Sequence, residues 1–315
     1  MSQKSSVVPA NIPPPARQIA SILQHLFKIP RSQIPFLLEN GHVTVNGRAR
    51  RQGFQVLDVG DSISVDIVPQ AITAPRKSLR SKEPNRVIDF LYDDADIVIV
   101  NKPANLLTVP TKHREAHTLL SLVERQLKKS DETAKLFCVH RLDRGVSGVL
   151  VLAKSLEVAE ALRDQFALRK PNRRYIALVV GTPSPPNNVL RNYLSTDADL
   201  NRYVVQSAEQ GELAITHYLT RQVWRDSSLL EIKLETGRRN QIRVQLAEIG
   251  HPILGDPRYR ARLATHWAWP HARIALHAES LGFTHPRSNE PIDFETPWPQ
   301  EFRDFIRLQK KNLAE

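Results

Sequence analysis

One charged turn between two apolar runs constrains this chain more than any other stretch. It lies in the segment Cys138 to Lys154, which reads CVHRLDRGVSGVLVLAK. The run Val149-Leu150-Val151-Leu152 is typical of a buried strand, and Gly145 and Gly148 permit a sharp turn and the close approach of another group. The segment therefore predicts one carboxylate, Asp143, in a loop beside rigid sheet, between two arginines. Without further context, an aspartate in such a loop more often forms an ion pair with a neighbouring arginine than acts in catalysis.

Length and charge narrow the class of protein. The 315 residues are enough for two domains, one of them with a substantial core. The net charge of +11 indicates a polyanionic partner, most simply a nucleic acid. No apolar run approaches the roughly 20 residues that span a bilayer, and the N-terminus lacks the apolar core of a secretory signal. We therefore expect a cytoplasmic protein without a membrane partner.

The single cysteine, Cys138, excludes an intrachain disulfide framework and fits a reducing compartment. No paired base marks it as a nucleophile, so we interpret it as a small buried residue. His113 and His117 have a spacing that could bind zinc on one helix face, but no third ligand is evident, so we predict no metal site. Gly145-Val146-Ser147-Gly148 is not a nucleophile elbow, because its second glycine comes one residue too early.

The N-terminal third divides into three predicted segments. Residues 1–16 hold four prolines, so we expect a flexible lead without a regular element. Residues 17–68 show helical spacing twice and then strand-like runs, with a hairpin predicted at Asn46-Gly47. Residues 69–86 lack periodicity and are interpreted as a basic linker.

Two helices followed by a small strand region, with ENGHVTVNG and VGDSISV, resemble the S-four-type RNA-binding domain over residues 17–68. A basic edge is usually only a solvated surface, but this resemblance implies that it binds RNA. The arginines concerned are Arg31, Arg48, Arg50 and Arg51.

The remaining residues, 87–315, alternate between strand and helix patterns. Strands are predicted at 87–92, 97–100, 149–153 and from 173, and a hairpin at 215–223 and 228–234. Helices are predicted at 119–127 and 156–169, and a further helix opens in the segment 236–243 and stops at Gly250. The Trp267-Ala268-Trp269-Pro270 cluster could stack on exposed bases or close the core under a long loop, and we slightly favour the core.

Five motifs in this larger domain resemble those of the RluA-type pseudouridine synthases, in the expected order between residues 87 and 306. They are NKPANLL, HRLDRGVSG, RRYIALVVG, TGRRNQIR and RIALHAESLGF. Three positions depart from the family pattern: Asn105 replaces a glycine, Val146 a threonine and Asn240 a histidine. The resemblance implies an α+β fold with a mixed, largely antiparallel central sheet and a catalytic cleft, beside the small α/β N-terminal RNA-binding domain.

The activity that this resemblance implies is isomerisation of uridine to pseudouridine in structured RNA, with ribosomal RNA favoured over tRNA. The glycosidic bond breaks, the base turns and a carbon–carbon bond forms, without a cofactor or metal. The resemblance makes Asp143 the catalytic residue, either as a nucleophile at the anomeric carbon or as a base at the neighbouring ribose carbon. Tyr175 would line the site, and Arg243 would face Asp143. The predicted RNA contacts nearby are Arg141, Arg144, Arg173 and Arg174.

Two other functions were weighed. A non-catalytic RNA-binding protein could retain the fold, but Asp143, Tyr175 and Arg243 are all present. A nucleoside hydrolase normally needs a pair of carboxylates, and no second acid accompanies Asp143 in its motif. The sequence indicates no protein partner, and we expect a monomer.

Overall fold

The computed structural model describes residues 2–12, 17–29, 34–39, 41–50, 55–67, 87–111, 115–198 and 200–312. The chain forms two compact units, Met1–Asn85 and Arg86–Glu315. The predicted linker at 69–86 lies outside the described residues, as do Arg31 and Arg51. None of the helices in the described part of the chain has the length and apolar character that crossing a bilayer requires.

The small unit packs two short helices on a four-stranded antiparallel sheet of order β1-β4-β2-β3. Ile19, Ile22 and Leu23 lie on the buried side of the first helix, as their spacing predicts. The elements are β1 (Ser2–Val7), α1 (Ile19–His25), α2 (Ile34–Glu39), β2 (Val43–Val45), β3 (Arg48–Ala49) and β4 (Ser62–Ile67).

The first strand corrects the prediction for the N-terminus. Residues 1–16 were expected to lack a regular element, yet β1 pairs with β4 from Ser2↔Ile67 to Val7↔Ser62. Every proline of that segment follows Val7, so none interrupts the ladder. The partner strand lies about 60 residues away in the chain, and a local pattern carries no information about such a pairing.

The hairpin at Asn46-Gly47 is present between β2 and β3, as predicted. Both residues have positive φ, 50° and 75°, which a two-residue turn of this kind requires. Asn46 also fixes β4, because its Oδ1 accepts the Ser62 N–H at 2.9 Å and its Nδ2 donates to Asp61 at 2.8 Å.

The larger unit is built on one sheet of order β11-β10-β12-β13-β9-β14-β8-β6-β5, with β15 on β14 and β7 on β8. Its strands are β5 (Asp89–Asp93), β6 (Ile97–Lys102), β7 (Phe137–Cys138), β8 (Ser147–Ala153), β9 (Asn172–Val180), β10 (Asn187–Thr196), β11 (Arg202–Val205), β12 (Glu212–Val223), β13 (Ser227–Leu234), β14 (Leu276–Thr284) and β15 (Pro291–Glu295). Its helices are α3 (Leu119–Leu127), α4 (Leu156–Ala167), α5 (Gln241–Glu248) and α6 (Gln300–Asn312).

Among the pairings within the described residues, β14 with β8 is parallel and the others are antiparallel. This confirms the predicted α+β class with a mixed, largely antiparallel sheet. The parallel contact depends on Gly148, which has φ 121° and lies so close to β14 that a Cβ atom would fall 2.0 Å from the Ala278 carbonyl oxygen. The strand that follows Asp143 is thereby fixed in place.

Strand β8 is buried on both faces, as its continuous apolar run predicts. Leu150 and Leu152 join one core cluster together with the apolar faces of α3 and α6. Val149 and Val151 join the other, under α4. The predicted helices at 119–127 and 156–169 are present, and each begins at a capping hydroxyl, Thr118 or Ser155.

A buried histidine joins β14 to β8. His277 is 1% exposed, and its two ring nitrogens lie 2.8 Å from the Ser147 hydroxyl and 2.9 Å from the Thr296 hydroxyl. Burial, helped by the charge of Arg273, lowers the pKa of His277 to about 3. The ring is therefore neutral in the folded protein throughout the range in which an unfolded histidine takes up a proton.

This pKa predicts a loss of stability in acid. Between pH 6.5 and about 3 the unfolded chain binds a proton at His277 that the folded chain does not. The free energy of unfolding then falls as the pH is lowered, by up to about 1.4 kcal/mol per pH unit from this one group. We expect His277→Gln to reduce that slope in urea titrations at pH 7, 6 and 5. The exposed His117→Gln should keep the wild-type slope, and equal slopes in all three proteins would contradict the assignment.

Candidate active site

The three predicted catalytic residues come together in one depression of the larger unit. Asp143 lies in the turn between β7 and β8, Tyr175 on β9 and Arg243 on α5, and all three line the same wall. We call this depression, with the adjoining grooves that also include Asp143, the cleft. Residues from distant parts of the chain meet here because β8, β14 and β9 are neighbours in the sheet.

Asp143 forms an ion pair with Arg243, in which Nη1 donates to Oδ2 at 2.7 Å. The Arg243 side chain is 8% exposed and that of Asp143 is 28% exposed, so the carboxylate still reaches the cleft. The pairing inferred from the motifs is therefore present. Burial alone would lower the pKa of Arg243, but its hydrogen bonds and two neighbouring carboxylates outweigh burial and raise that pKa above its ordinary value. Arg243 therefore remains charged.

Helix α5 is fixed to the sheet by two buried glutamines, which explains why Arg243 projects from a rigid platform. Gln241 accepts from the Thr236 hydroxyl at 2.8 Å and from the Arg238 N–H at 2.9 Å. Gln245 accepts from the Thr216 hydroxyl at 2.6 Å. Gln241 lies within the TGRRNQIR motif and Gln245 two residues after it, so the motif provides the arginine and one of its two supporting glutamines.

The turn that holds Asp143 is tied down on both sides. Lys102, which is fully buried, donates to the carbonyls of Leu106 and Val146, both at 2.7 Å. Thr108 donates to the Leu142 carbonyl at 2.8 Å and accepts from the Leu142 N–H at 3.3 Å. The sequence pattern indicates no role for Lys102 or Thr108, although Lys102 lies in the NKPANLL motif.

His140, in the same motif as Asp143, is a structural anchor. Its ring stacks on Phe166 with 4.6 Å between centroids, and its Nε2 accepts from the Val151 N–H at 3.3 Å. Burial and, to a lesser degree, the charge of Arg173 lower the pKa of His140 to about 3. The ring is therefore neutral at physiological pH and serves to hold the start of the turn against β8.

Tyr175 is 8% exposed in the floor of the cleft. Burial raises the pKa of Tyr175; Arg173 opposes this, and the charge of Asp143 adds to it. Arg173 lies on the same face of β9, two residues earlier. It donates to the Glu235 carbonyl at 3.2 Å and lies over the Phe166 ring. Arg173 therefore forms part of the cleft wall.

Arg174 points the other way. Residues alternate between the two faces of a strand, so Arg174 lies opposite Tyr175. It donates to the Ser280 hydroxyl at 2.8 Å and pairs with Glu295 on β15. The structure does not bring Arg174 to the cleft, and its predicted RNA contact has no support from this geometry.

Exposed arginines surround the cleft. Arg141 and Arg144, both predicted to contact RNA, are exposed along it. Two further arginines were not singled out from the sequence. Arg239 and Arg258 are exposed along the same groove, and both donate to the Leu200 carbonyl, at 2.8 and 3.4 Å. Arg239 could have been found from its place in the TGRRNQIR motif.

The three departures from the family pattern each suit their position. Asn105 and Asn240 have φ of 63° and 56°, a left-handed conformation that asparagine adopts more readily than most residues. Asn240 accepts from Arg243 Nη1 at 3.2 Å and donates to the Tyr259 hydroxyl at 2.9 Å. Val146 is 2% exposed and joins the apolar core, where no hydroxyl is needed.

The small unit, Met1–Asn85, also carries arginines that were predicted to bind RNA. Arg48 lies exposed on β3, at the edge of the four-stranded sheet, and Arg50 follows it in a half-buried position. The other two predicted arginines of this unit lie outside the described residues.

The two tryptophans of the Trp267-Ala268-Trp269-Pro270 cluster differ in burial. Trp269 is 4% exposed and packs edge-on against Phe302 at 5.3 Å, as the core interpretation predicts, whereas Trp267 is 60% exposed. Cys138 is half-buried, and burial raises the pKa of its thiol, as expected of a small packed residue rather than a nucleophile. His113, half of the weighed zinc pair, lies outside the described residues.

One cluster of possible metal ligands, Asp94, Asp96 and His285, lies at the turn between β5 and β6. Its groups are engaged with the protein. Asp94 accepts the N–H groups of Asp96 and Ile97, both at 2.8 Å, and Asp96 binds Arg287 through both carboxylate oxygens. The cluster therefore stabilises the acidic turn that the sequence predicted there.

Comparison with known proteins places the chain in a family. The family model described as RNA pseudouridylate synthase matches residues 96–248. Ribosomal large subunit pseudouridine synthase D of Zymomonas mobilis is 33% identical over 302 residues, covering 93% of this chain and 92% of that protein. The Escherichia coli protein of the same name is 28% identical over 300 residues, covering 90% and 88%.

A solved structure shares the fold. Human RNA pseudouridylate synthase domain containing 4 superposes with a TM-score of 0.58 at 22% identity, covering 70% of this chain and 92% of that one. The relatives do not favour the alternative of a non-catalytic RNA-binding protein. The chain belongs to the RNA pseudouridylate synthase family and is an enzyme that isomerises uridine in RNA to pseudouridine.

Proposed function

We propose that Asp143 carries out this isomerisation on uridine in ribosomal RNA of the large subunit. The observation that carries the proposal is the ion pair between Asp143 and the buried Arg243, with one carboxylate oxygen facing a cleft bordered by arginines. The choice of substrate is supported by relatives whose names specify the large ribosomal subunit.

The chemistry needs one ionised carboxylate. Asp143 either attacks the anomeric carbon, which breaks the bond from that carbon to N1 of uracil, or removes the proton from the neighbouring ribose carbon and so expels the base. The freed uracil turns and its C5 bonds to the anomeric carbon. On the first route this new bond displaces Asp143 from the ribose, and on the second Asp143 returns the proton to the ribose carbon. The C5 proton then leaves, and N1 takes up a proton. No atom is gained or lost in the sum, so the reaction is an isomerisation on either route.

Tyr175 suits stacking better than proton removal. A phenol whose pKa is raised by burial stays protonated at neutral pH and is a poor base. Tyr175 lies on β9, which is paired with β13 on one side and β14 on the other, so its ring has a fixed place in the cleft and provides a flat apolar surface for the detached uracil.

The surrounding arginines serve RNA binding. The target base must leave its stack, which costs a few kcal/mol, and phosphate contacts offset that cost. Arg141 and Arg144 are exposed for such contacts, whereas Arg173 is 6% exposed and supports the wall. We assign RNA binding also to the S-four-type unit through Arg48 and Arg50. A monomeric state, a cytoplasmic location and the absence of a protein partner stay predictions.

The substrate is tested by mapping pseudouridine in RNA from cells that lack this protein. We expect one or a few sites to disappear from large-subunit ribosomal RNA, and the wild-type gene to restore them. Re-expression of Asp143→Asn at equal level should not restore them. Loss of sites only from tRNA would overturn the ribosomal assignment and leave the activity intact.

A further inference from the structure

Arg243 contacts a second carboxylate besides Asp143. Its Nε donates to Asp256 Oδ2 at 2.7 Å and its Nη2 to Asp256 Oδ1 at 2.9 Å. Asp256 is 2% exposed and lies in the loop between α5 and β14. Nothing in the sequence distinguishes Asp256, because Gly255-Asp256-Pro257 is also an ordinary turn signal.

The two-bond contact determines where the remaining nitrogen points. A guanidinium is planar, so holding the Nε–Nη2 edge leaves Nη1 in one place, 2.7 Å from Asp143 Oδ2. Asp256 is itself held, because its Oδ1 accepts the N–H groups of Arg258 at 2.9 Å and Tyr259 at 3.2 Å. The Tyr259 ring lies 5.0 Å from the Arg243 guanidinium carbon and covers one of its faces.

The charges lead to the same conclusion. Arg243 carries one positive charge and faces two carboxylates, so Asp143 is neutralised only in part. Within the described residues, Arg243 is the hydrogen-bond donor to the Asp143 carboxylate, through Oδ2. Oδ1 therefore stays available for the reaction. With Asp256 absent, the whole charge of Arg243 would act on Asp143, and the guanidinium would keep only its Nη1 hydrogen bonds and the Tyr259 ring to orient it.

We propose that Asp256 is a positioning residue for the isomerisation, which orients Arg243 toward Asp143 and takes a share of its charge. The proposal rests on the proposed role of Asp143. Asp256 does not border the cleft, so it acts through Arg243 and not on the substrate.

The test compares Asp256→Asn with a matched control, Asp96→Asn. Both changes break a two-bond aspartate–arginine pair in the same unit, but Asp96 binds Arg287 away from the cleft. In single-turnover assays at saturating RNA we expect Asp256→Asn to lower the rate about 100-fold, as a misplacement of about 1 Å does. RNA affinity should change less than about 3-fold, and Asp96→Asn should react at the wild-type rate. A similar rate loss in Asp256→Asn and Asp96→Asn would show that Asp256 has only a structural role and would overturn the proposal.

A double-mutant cycle separates positioning from general damage. If Asp256 acts through Arg243, then Asp256→Asn should cost less than about 3-fold in an Arg243→Gln background, because its target is already gone. If the rate loss of the double variant equals the product of the losses in the two single variants, the proposal is overturned. Asp256→Glu retains the charge and shifts the contact by one methylene, so it remains informative if the amide variant folds poorly. We expect about a 10-fold loss for Glu, and full activity would overturn the positioning role.

The outcome also distinguishes this proposal from the one on which it rests. An inactive Asp143→Asn together with a fully active Asp256→Asn would reject the positioning role alone. An active Asp143→Asn would reject the proposed function itself, whatever the Asp256 variants do.

Discussion

Asp143→Asn is expected to abolish isomerisation while the fold and RNA affinity remain. The amide has nearly the shape of the carboxylate, and its oxygen can still accept a hydrogen bond from Arg243 Nη1. In the wild-type protein Nη1 lies 2.7 Å from Asp143 Oδ2. It cannot attack the ribose or accept a proton from it. We expect a rate loss of at least about 10⁴-fold, the scale on which an essential catalytic group acts.

This loss is measured by release of tritium from uridine labelled at C5, because that proton leaves only when the new bond forms. The exposed Asp89→Asn on β5 is a control that changes the charge equally outside the cleft. Turnover by Asp143→Asn within about 10-fold of wild type would exclude Asp143 as nucleophile or base. If Asp143→Asn loses RNA binding together with turnover, the change has instead disrupted the turn between β7 and β8.

Arg243→Gln is expected to have the second largest effect. The change removes the cation that pairs with Asp256, whose side chain is 1% exposed. It also removes the positive charge that separates Asp256 from Asp143. Removing one partner of a buried ion pair typically costs about 3–5 kcal/mol of stability. Loss of a preorganised charged donor should lower the rate by about 10²–10³-fold.

Arg243→Lys should recover part of both losses, since it restores the charge but cannot bind Asp256 through two bonds and reach Asp143 as well. Rates at saturating RNA, together with thermal unfolding of each variant, check this order. If the Gln variant reacts at nearly the wild-type rate, Arg243 has no part in the chemistry. A loss confined to RNA affinity would assign it to substrate binding.

The sequence by itself determined the local elements and pointed to the aspartate that we propose as catalytic. Strand β8, helices α3 and α4 and the turn at Asn46-Gly47 all follow from patterns within about a dozen residues. Such patterns report backbone preference and the side that is buried, which neighbouring residues decide. Asp143 was identifiable because its motif is contiguous in the chain.

Only the tertiary structure decided what depends on sheet order and on distant contacts. It showed that β1 pairs with β4, that Arg174 faces away from the cleft, and that Trp267 is exposed while Trp269 is buried. It also revealed Asp256 as the second carboxylate on Arg243. Each of these depends on which surface lies opposite a residue, and that is determined by packing between segments far apart in the chain. Local periodicity does not contain that information, so Asp256 as the second partner of Arg243 could be seen only in the fold.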